Sequence, residues 1–354
     1  MICGRMHRTV NEIGGHDMTI KSIRRRESLI LASAALAAAP AGAASDDPNL
    51  PNYRILATGL QFPEGPIARP DGSVLMVEIK RKTVSRMLAD GAVEVVANLG
   101  GGPNGIAIGP DGACYVCNDG GLTFITRPDG SVIASGVTPP DYVGGSIQRL
   151  DLTTGAFSTL YDKVNGHALK APNDLVFDAY GGFWFTDTGK IRERDRDHGG
   201  LYWAKPDGSE IREVVYQLLT PNGIALSPDR KRVYVALSER RQLVAYDITG
   251  PGTVAMDGAV PRQTLIASLG ERQSFDSIAV EANGNIIIGT VIKGGLTVIS
   301  PQGEVVDFVK LPDFVVAHLA FGGEDLRTIY VTLTSTGRLA SFRWPRPGLK
   351  LLYA

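Results

Sequence analysis

Short apolar runs separated by turn-forming residues continue along the chain from about residue 53 to the C-terminus. Runs such as 74–77, 183–185 and 286–288 contain only apolar or aromatic residues, and Pro-Asp-Gly recurs at 70, 110, 128 and 206 between such runs. No amphipathic helix of ten or more residues stands out after the first 43 residues. This pattern predicts strands joined by tight turns in small antiparallel sheets.

Six polar residues share one register: each stands just before an apolar strand and seven residues before a turn-forming or polar residue. We call these six residues the anchors. They are Glu64, Asn104, Asn173, Asn222, Asp276 and His318, at intervals of 40, 69, 49, 54 and 42 residues. Self-similarity at such a spacing is typical of a radial repeat in which each unit is one small sheet. The sequence therefore predicts an all-β, six-bladed β-propeller over residues 44–354, with the anchors around one central channel.

Two segments depart from the regular repeat. The second unit is oversized, and its excess at about 128–166 is interpreted as a loop that lies over the binding face. Residues 190–198 are dense in charge and are interpreted as a solvated surface loop. The segment 53–58 is expected to pair with strands near the C-terminus, because an open propeller would expose sheet edges.

The first 43 residues have the features of a cleaved export signal. Basic residues from Lys21 to Arg26 precede an apolar stretch at 29–39, and Ala41-Gly42-Ala43 is typical of a cleavage site. The Arg25-Arg26 pair resembles a twin-arginine signal, although Ser28 stands where Phe is usual, and a Sec signal stays open. Met18 is an alternative start. We expect a periplasmic or secreted protein with no membrane association after cleavage, because no apolar run is long enough to span a bilayer.

Charge and cysteine content exclude several classes of function. The net charge is -1 with acidic and basic residues interspersed, so no nucleic-acid partner is expected. Cys114 and Cys117 could form a redox or zinc motif, but residues three apart in a strand point to opposite faces. We therefore interpret them as two buried, inert thiols.

The chemistry of the anchors indicates a metal site. Buried polar groups need partners, and one shared cation would satisfy several of them together. Carboxylate and amide oxygens are hard ligands, which favours Ca²⁺ over Zn²⁺, with Mg²⁺ and Mn²⁺ as further candidates. The alternative for Asn104-Gly105 and Asn222-Gly223 is a pair of tight turns. Two acidic anchors and a histidine at the same register argue against that alternative.

Several motifs around the anchors resemble the family of gluconolactonase, regucalcin (senescence marker protein) and luciferin-regenerating enzyme. These motifs are Phe62-Pro63-Glu64-Gly65-Pro66, Ala171-Pro172-Asn173-Asp174, the segment 220–229, and Ala320-Phe321-Gly322-Gly323-Glu324-Asp325-Leu326. The resemblance implies a six-bladed propeller that binds one divalent cation through Glu64, Asn222 and Asp276. It implies that Asn173 is a fourth ligand or a substrate contact. One departure is Asp276-Ser277, where the family usually has Asp-Gly.

The resulting hypothesis is a metal-dependent lactonase acting on a sugar lactone or another small lactone. Asp276 is the first choice for the general base, because a carboxylate that touches both the metal and the water can take a proton from the water. His318 is the second choice, because imidazole has the better-matched intrinsic pKa. Asn104 would orient the substrate or shape the channel. One alternative is an arylesterase or phosphotriesterase, since more distant calcium propellers with similar ring chemistry include the paraoxonases and diisopropylfluorophosphatase. Another is an exported propeller that binds a small metabolite or a protein without turnover.

Overall fold

The computed structural model describes residues 51–353, and the predicted export signal lies outside the described residues. Six four-stranded antiparallel sheets follow one another along the chain, and this confirms the predicted six-bladed propeller. Each blade begins with its innermost strand and ends with its outermost strand, except that the outermost strand of blade 6 comes from the start of the described chain. No helix among residues 51–353 is long and apolar enough to cross a membrane.

The strands of the first three blades have the following bounds. Blade 1 contains Pro63–Ala68, Val74–Glu78, Thr83–Met87 and Val93–Asn98. Blade 2 contains Pro103–Ile108, Cys114–Asn118, Ser146–Leu150 and Phe157–Tyr161. Blade 3 contains Pro172–Phe177, Phe183–Asp187, Gly199–Ala204 and Ile211–Leu218.

The last three blades follow the same plan. Blade 4 contains Pro221–Leu226, Arg232–Leu237, Gln242–Gly250 and Gln263–Ser268, with a short strand Thr253–Val254 paired to the third. Blade 5 contains Ser274–Val280, Ile286–Val291, Gly295–Ile299 and Val305–Lys310. Blade 6 contains Val316–Gly322, Thr328–Leu333, Arg338–Arg343 and Tyr53–Ala57. Three two-stranded hairpins pair Phe124–Thr126 with Val132–Ala134, Lys163–Val164 with His167–Ala168, and Met256–Asp257 with Val260–Pro261.

The ring is closed by the strand Tyr53–Ala57, as predicted. This strand pairs with Arg338–Arg343 in blade 6, and Tyr53 lies opposite Phe342. The first and last parts of the described chain therefore share one sheet, which closes the ring.

The hydrophobic core consists of layers between neighbouring blades. Inward-facing residues of blades 1 and 2 form one cluster of buried side chains, those of blades 2 and 3 form the next, and the series continues around the ring to blades 6 and 1. Cys114 belongs to the first of these layers and Cys117 to the second. Both thiols are free and buried, and burial raises the pKa of Cys114 to about 12. The interpretation as inert thiols is consistent with this placement.

The insertion in blade 2 lies earlier in the chain than predicted. Residues 119–145 connect the second strand of the blade to the third and contain the hairpin Phe124–Thr126/Val132–Ala134. The prediction of a loop over 128–166 is therefore wrong for 146–161, which contains the two outer strands of the blade. The insertion has no counterpart in the other five blades, so the repeat pattern did not show where it ends and the outer strands begin.

At the far ends of the inner strands, a buried glutamate holds the C-terminal segment. Glu281 follows the inner strand of blade 5 and is 0% exposed. Its carboxylate accepts hydrogen bonds from Trp344 Nε1 at 2.6 Å, Arg346 Nε at 2.6 Å and Asn285 Nδ2 at 2.9 Å. Farther along this segment, the ring of Tyr353 packs edge-on against Phe177 in blade 3. The chain after residue 344 thus contacts the ends of inner strands from different blades.

Candidate active site in the central channel

All six inner strands change their pairing register at the anchor. In blade 3, for example, the pairing with the second strand is interrupted between Pro172 and Leu175, and Asn173 lies in the gap. Equivalent irregularities occur in the other five blades at the anchor or directly beside it. Such bulges free a side chain from the alternation of the strand and turn it in a new direction. The anchors therefore share one local backbone feature, at the end of the channel where the inner strands begin.

Glycines that follow two of the anchors allow the inner strands to approach closely. A Cβ atom on Gly105 would lie 2.6 Å from the Asn173 carbonyl oxygen, and one on Gly223 would lie 2.4 Å from the Asp276 carbonyl oxygen. A side chain at either position would collide with the backbone of the next blade, so both positions require glycine. The alternative interpretation of Asn104-Gly105 and Asn222-Gly223 as tight turns is wrong, because both pairs lie within inner strands.

Blades 6 and 1 bring an imidazole and a carboxylate together. His318 Nδ1 lies 3.3 Å from Glu64 Oε2, and the two residues are 8% and 4% exposed. The contact lacks the alignment of a hydrogen bond, so Nδ1 has no partner. Burial raises the pKa of Glu64 to about 8, although the backbone N–H of Gly65 donates to its carboxylate at 3.2 Å. Burial lowers the pKa of His318, against the effect of the nearby carboxylate of Asp174.

Blades 4 and 5 bring an amide and a second carboxylate together. The side chain of Asn222, in blade 4, acts on the carboxylate of Asp276, in blade 5. Burial, and after it the like charge of Glu64, raise the pKa of Asp276 well above its ordinary value, whereas the side chain of Asn222 lowers it. Two buried carboxylates with raised pKa values form a site that would be stabilised by added positive charge.

Several buried polar atoms of the ring lack a hydrogen-bond partner within the described chain. They are Asn173 Oδ1, Asn222 Oδ1 and His318 Nδ1. An unsatisfied buried polar group costs about 1–3 kcal/mol, so three of them at one place need a shared explanation. The two amide oxygens and the two carboxylates are hard oxygen donors of the kind that Ca²⁺ and Mg²⁺ bind. The donor set therefore fits a divalent cation.

The ring differs from a site built only of acids, histidines and cysteines. Among residues 51–353 no three such side chains cluster closely enough to hold a metal ion by themselves. A cation between Glu64 and Asp276 would need the amide oxygens of Asn173 and Asn222 as well. Since both oxygens are free, the set Glu64, Asn173, Asn222 and Asp276 remains the predicted ligand set.

The remaining anchor, Asn104, lies in blade 2, across the ring of anchors from Asp276 in blade 5. It is 9% exposed and shares the register irregularity of the other anchors. The structure thus places Asn104 at the predicted register. Its role as a substrate contact stays a prediction.

Asp174 is a site residue that the sequence did not reveal. It follows Asn173, is 4% exposed, and accepts hydrogen bonds from Leu175 N at 2.9 Å and Ile224 N at 3.4 Å. Burial raises its pKa to about 6, while the charge of His318 lowers it. The signal was available: an acidic residue directly before an apolar inner strand, where three other blades have glycine.

Two loops at the same end of the propeller are joined through a buried lysine. Lys190, which follows the second strand of blade 3, is 4% exposed. Its Nζ donates to the carbonyl oxygen of Gly121 at 2.7 Å and lies 3.5 Å from Asp119 Oδ1, both in the insertion of blade 2. The predicted solvated loop 190–198 is therefore wrong for Lys190, although residues 192–195 are exposed. A loop that rests on another blade buries cations that composition alone assigns to solvent.

Comparison with known families identifies the fold and its lineage. The family model of the SMP-30/gluconolactonase/LRE-like region matches residues 62–335, which make up most of the described propeller. The chain belongs to this family. The resemblance drawn from the sequence motifs is thereby confirmed.

Individual members of the SMP-30/gluconolactonase family are distant in sequence. A gluconolactonase of Zymomonas mobilis is 24% identical over 310 residues, which cover 78% of this chain and 78% of that protein. A solved gluconolactonase from Xanthomonas campestris is 22% identical, with a TM-score of 0.68 over 88% of this chain and 99% of that one. A calcium-binding regucalcin from Agrobacterium tumefaciens is 17% identical, with a TM-score of 0.65 over 85% and 96% of the two chains. These two structures show a shared fold.

Proposed function

We propose that this protein is a divalent-metal-dependent lactonase that opens a small lactone, with a sugar lactone as the first candidate. The observation that carries the proposal is the channel ring, in which two carboxylates with raised pKa values lie beside amide oxygens that lack partners. The family of the chain and the relatives named gluconolactonase and lactonase support the substrate class.

Glu64, Asn222 and Asp276 would hold the cation, with Asn173 as the fourth ligand or a substrate contact. Ca²⁺ is the first candidate, because the donors are all oxygens, and Mg²⁺, Mn²⁺ and Zn²⁺ follow. When bound, the cation would polarise the lactone carbonyl and stabilise the negative charge that builds up on its oxygen.

The side chains of the ring supply the remaining steps. We assign Asp276 as the general base that takes a proton from the attacking water and returns it to the ring oxygen as the C–O bond of the lactone breaks, because a carboxylate that touches both the cation and the water can take that proton. Asn104 would donate its amide N–H to the substrate and fix the orientation of the lactone. His318, whose Nδ1 is free, is the alternative base. Burial lowers the pKa of His318 and so favours the neutral imidazole that can accept a proton.

The test is hydrolysis of a lactone panel by the mature protein, first stripped of metal and then titrated with Ca²⁺, Mg²⁺, Mn²⁺ and Zn²⁺. The panel contains aldonolactones, simple γ- and δ-lactones, acyl-homoserine lactones, aryl esters and a phosphotriester. Glu64→Gln and Asp276→Asn remove the charge with little change of shape, and Glu281→Gln is the matched control at the other end of the channel. Metal-restored turnover of one lactone class, lost only in the first two variants, would support the proposal.

Other outcomes would redirect the assignment. Faster turnover of the aryl ester or the phosphotriester than of every lactone would assign the site to that alternative hydrolase class. Tight cation binding with no turnover of any panel member would contradict the proposed activity and favour a binding protein.

We also propose that the protein is exported, from the predicted signal in residues 1–43. N-terminal sequencing of the protein from the periplasm or the medium should give a mature chain that begins near residue 44. A chain that keeps its first residues and stays in the cytoplasm would contradict this.

A further inference from the structure

Hydroxyl groups from neighbouring blades hold the backbone at three anchors. In each case a serine or threonine donates to a carbonyl oxygen of the next blade, either at the anchor itself or at the residue before it. The three bonds run from Thr334 Oγ1 to Pro63 O at 2.8 Å, from Thr186 Oγ1 to Asn222 O at 2.5 Å, and from Ser238 Oγ to Phe275 O at 2.6 Å. The three anchors concerned, Glu64, Asn222 and Asp276, are three of the four predicted ligands of the cation.

Thr186 makes the most extensive of these connections. It lies in the second strand of blade 3 and is 0% exposed. Its hydroxyl donates to Asn222 O, and the hydroxyl oxygen, Thr186 Oγ1, accepts a hydrogen bond from Asp174 N at 3.3 Å. The carboxylate of Asp174 in turn accepts from Ile224 N, two residues beyond Asn222. Blades 3 and 4 are thus linked on both sides of Asn222.

The connection continues from Asn222 to the acid of blade 5. The side chain of Asn222 acts on the carboxylate of Asp276 and lowers its pKa, and Asn222 Oδ1 is buried without a hydrogen-bond partner in the described chain. The backbone bond from Thr186 fixes the point from which this side chain extends.

From this geometry we propose that Thr186 is a positioning residue for the cation site. By holding the carbonyl of Asn222, it sets the position of the Asn222 amide oxygen relative to Asp276, and it couples both to Asp174 in blade 3. The inference rests on the proposed function, because it concerns the same site. Hydrogen bonds from residues that orient the metal ligands without touching the metal are typically worth about 10–100-fold in metal affinity.

The test uses the metal-stripped protein and Ca²⁺ alone, titrated by calorimetry, together with the melting temperature of each metal-free variant. Thr186→Val removes the hydroxyl and keeps the branched shape, and Thr186→Ser keeps the hydroxyl. Thr297→Val is the matched control. Thr297 is a buried threonine in the third strand of blade 5, and its hydroxyl bonds to Thr290 at 2.7 Å within its own sheet.

We expect Thr186→Val to weaken Ca²⁺ binding at least about 10-fold and Thr186→Ser to restore binding to near the wild-type value. Thr297→Val should lower the melting temperature to a similar extent without weakening Ca²⁺ binding. If Thr186→Val does not fold, Ser238→Ala is the second variant. It removes the hydroxyl that donates to Phe275 O, next to Asp276, and we expect the same loss of Ca²⁺ affinity.

Three results would overturn the inference. Equal Ca²⁺ affinity in the wild type and Thr186→Val would remove the positioning role and leave the proposed function intact. An equal loss in Thr297→Val would show that general destabilisation is the cause. A wild-type protein that binds none of Ca²⁺, Mg²⁺, Mn²⁺ and Zn²⁺ would overturn the inference and the proposed metal site together.

Discussion

Glu64 and Glu281 are both buried glutamates at the ends of inner strands, and they differ in every other respect. Glu281 is bonded by an indole, a guanidinium and an amide. Burial opposes its ionisation, yet Arg346, Trp344 and Asn285 more than offset this, and its pKa is lowered. Glu64 has one backbone N–H and a poorly aligned imidazole, and burial raises its pKa to about 8.

The difference separates a structural site from a functional one. A buried charge whose partners are all supplied by the chain fastens one part of the fold to another, as Glu281 fastens the C-terminal segment. A buried charge whose partners are lacking is costly to keep, and such sites are typical of binding and catalysis. Four predictions test this distinction, beginning with the largest effect.

The first prediction concerns activity and stability at the channel ring. Glu64→Gln removes a negative charge from a ring that carries two acids, so lactone turnover should fall at least about 100-fold, more than for loss of a positioning bond. The melting temperature of the metal-free protein should stay equal or rise near pH 7, because the folded state no longer has to keep protonated a carboxyl group whose ordinary pKa is 4.5. Asp276→Asn should behave in the same way. Steady-state kinetics and thermal unfolding measure the two effects, and a large loss of metal-free stability would make Glu64 a structural residue.

The second prediction concerns the general base. Because Asp276 is assigned this role, His318→Gln should lower kcat by less than about 10-fold, whereas loss of a general base typically costs about 10²–10⁴-fold. The variant also removes the one imidazole near Glu64, so it shows whether that contact matters. A loss of kcat above about 100-fold with unchanged Ca²⁺ affinity would transfer the role of base to His318.

The third prediction concerns the far end of the channel. Glu281→Gln should lower the free energy of unfolding by about 2 kcal/mol, because it weakens charge-assisted hydrogen bonds and leaves Arg346 without its carboxylate. The kcat of the folded fraction should be unchanged. Denaturant unfolding and kinetics on the same samples check this. A selective loss of Ca²⁺ affinity would show that the two ends of the channel are coupled.

The fourth prediction concerns pH. In the metal-free protein the pKa of Glu64 is raised from 4.5 to about 8, so its contribution to stability is fully present below pH 4.5 and is lost as the pH rises through 8. Glu281 has a lowered pKa, so its contribution is present above pH 4.5 and is lost as the pH falls. We expect the melting temperature of the metal-free protein to decrease between about pH 5 and pH 9, and Glu64→Gln to reduce this slope. An equal slope in both proteins would contradict the assignment to Glu64.

The propeller and the ring register could be predicted from the sequence because both are repeated. Each of the six anchors stands at the start of an apolar strand, so the same signal occurs six times. The strand Tyr53–Ala57 supplies the fourth strand of the sixth blade. The insertion was misplaced because it occurs once and has no repeat to align with.

The contacts between blades could not be predicted, because they depend on which residues face each other across different repeats. Thr186 is an ordinary strand threonine until Asn222 of the next blade is placed against it, and Lys190 is an ordinary surface lysine until the insertion covers it. Glu281 also precedes a turn in the sequence, and the return of the C-terminal segment supplies its indole and guanidinium partners.

The most direct measurement is an anomalous difference map from a crystal of the metal-stripped protein soaked in Mn²⁺. We expect one strong peak inside the ring, within about 2.6 Å of oxygen atoms of Glu64, Asn222 and Asp276, and no peak at Glu281. A ring without a peak, or a strong peak elsewhere on the propeller, would contradict the claim that the anchors form one cation site.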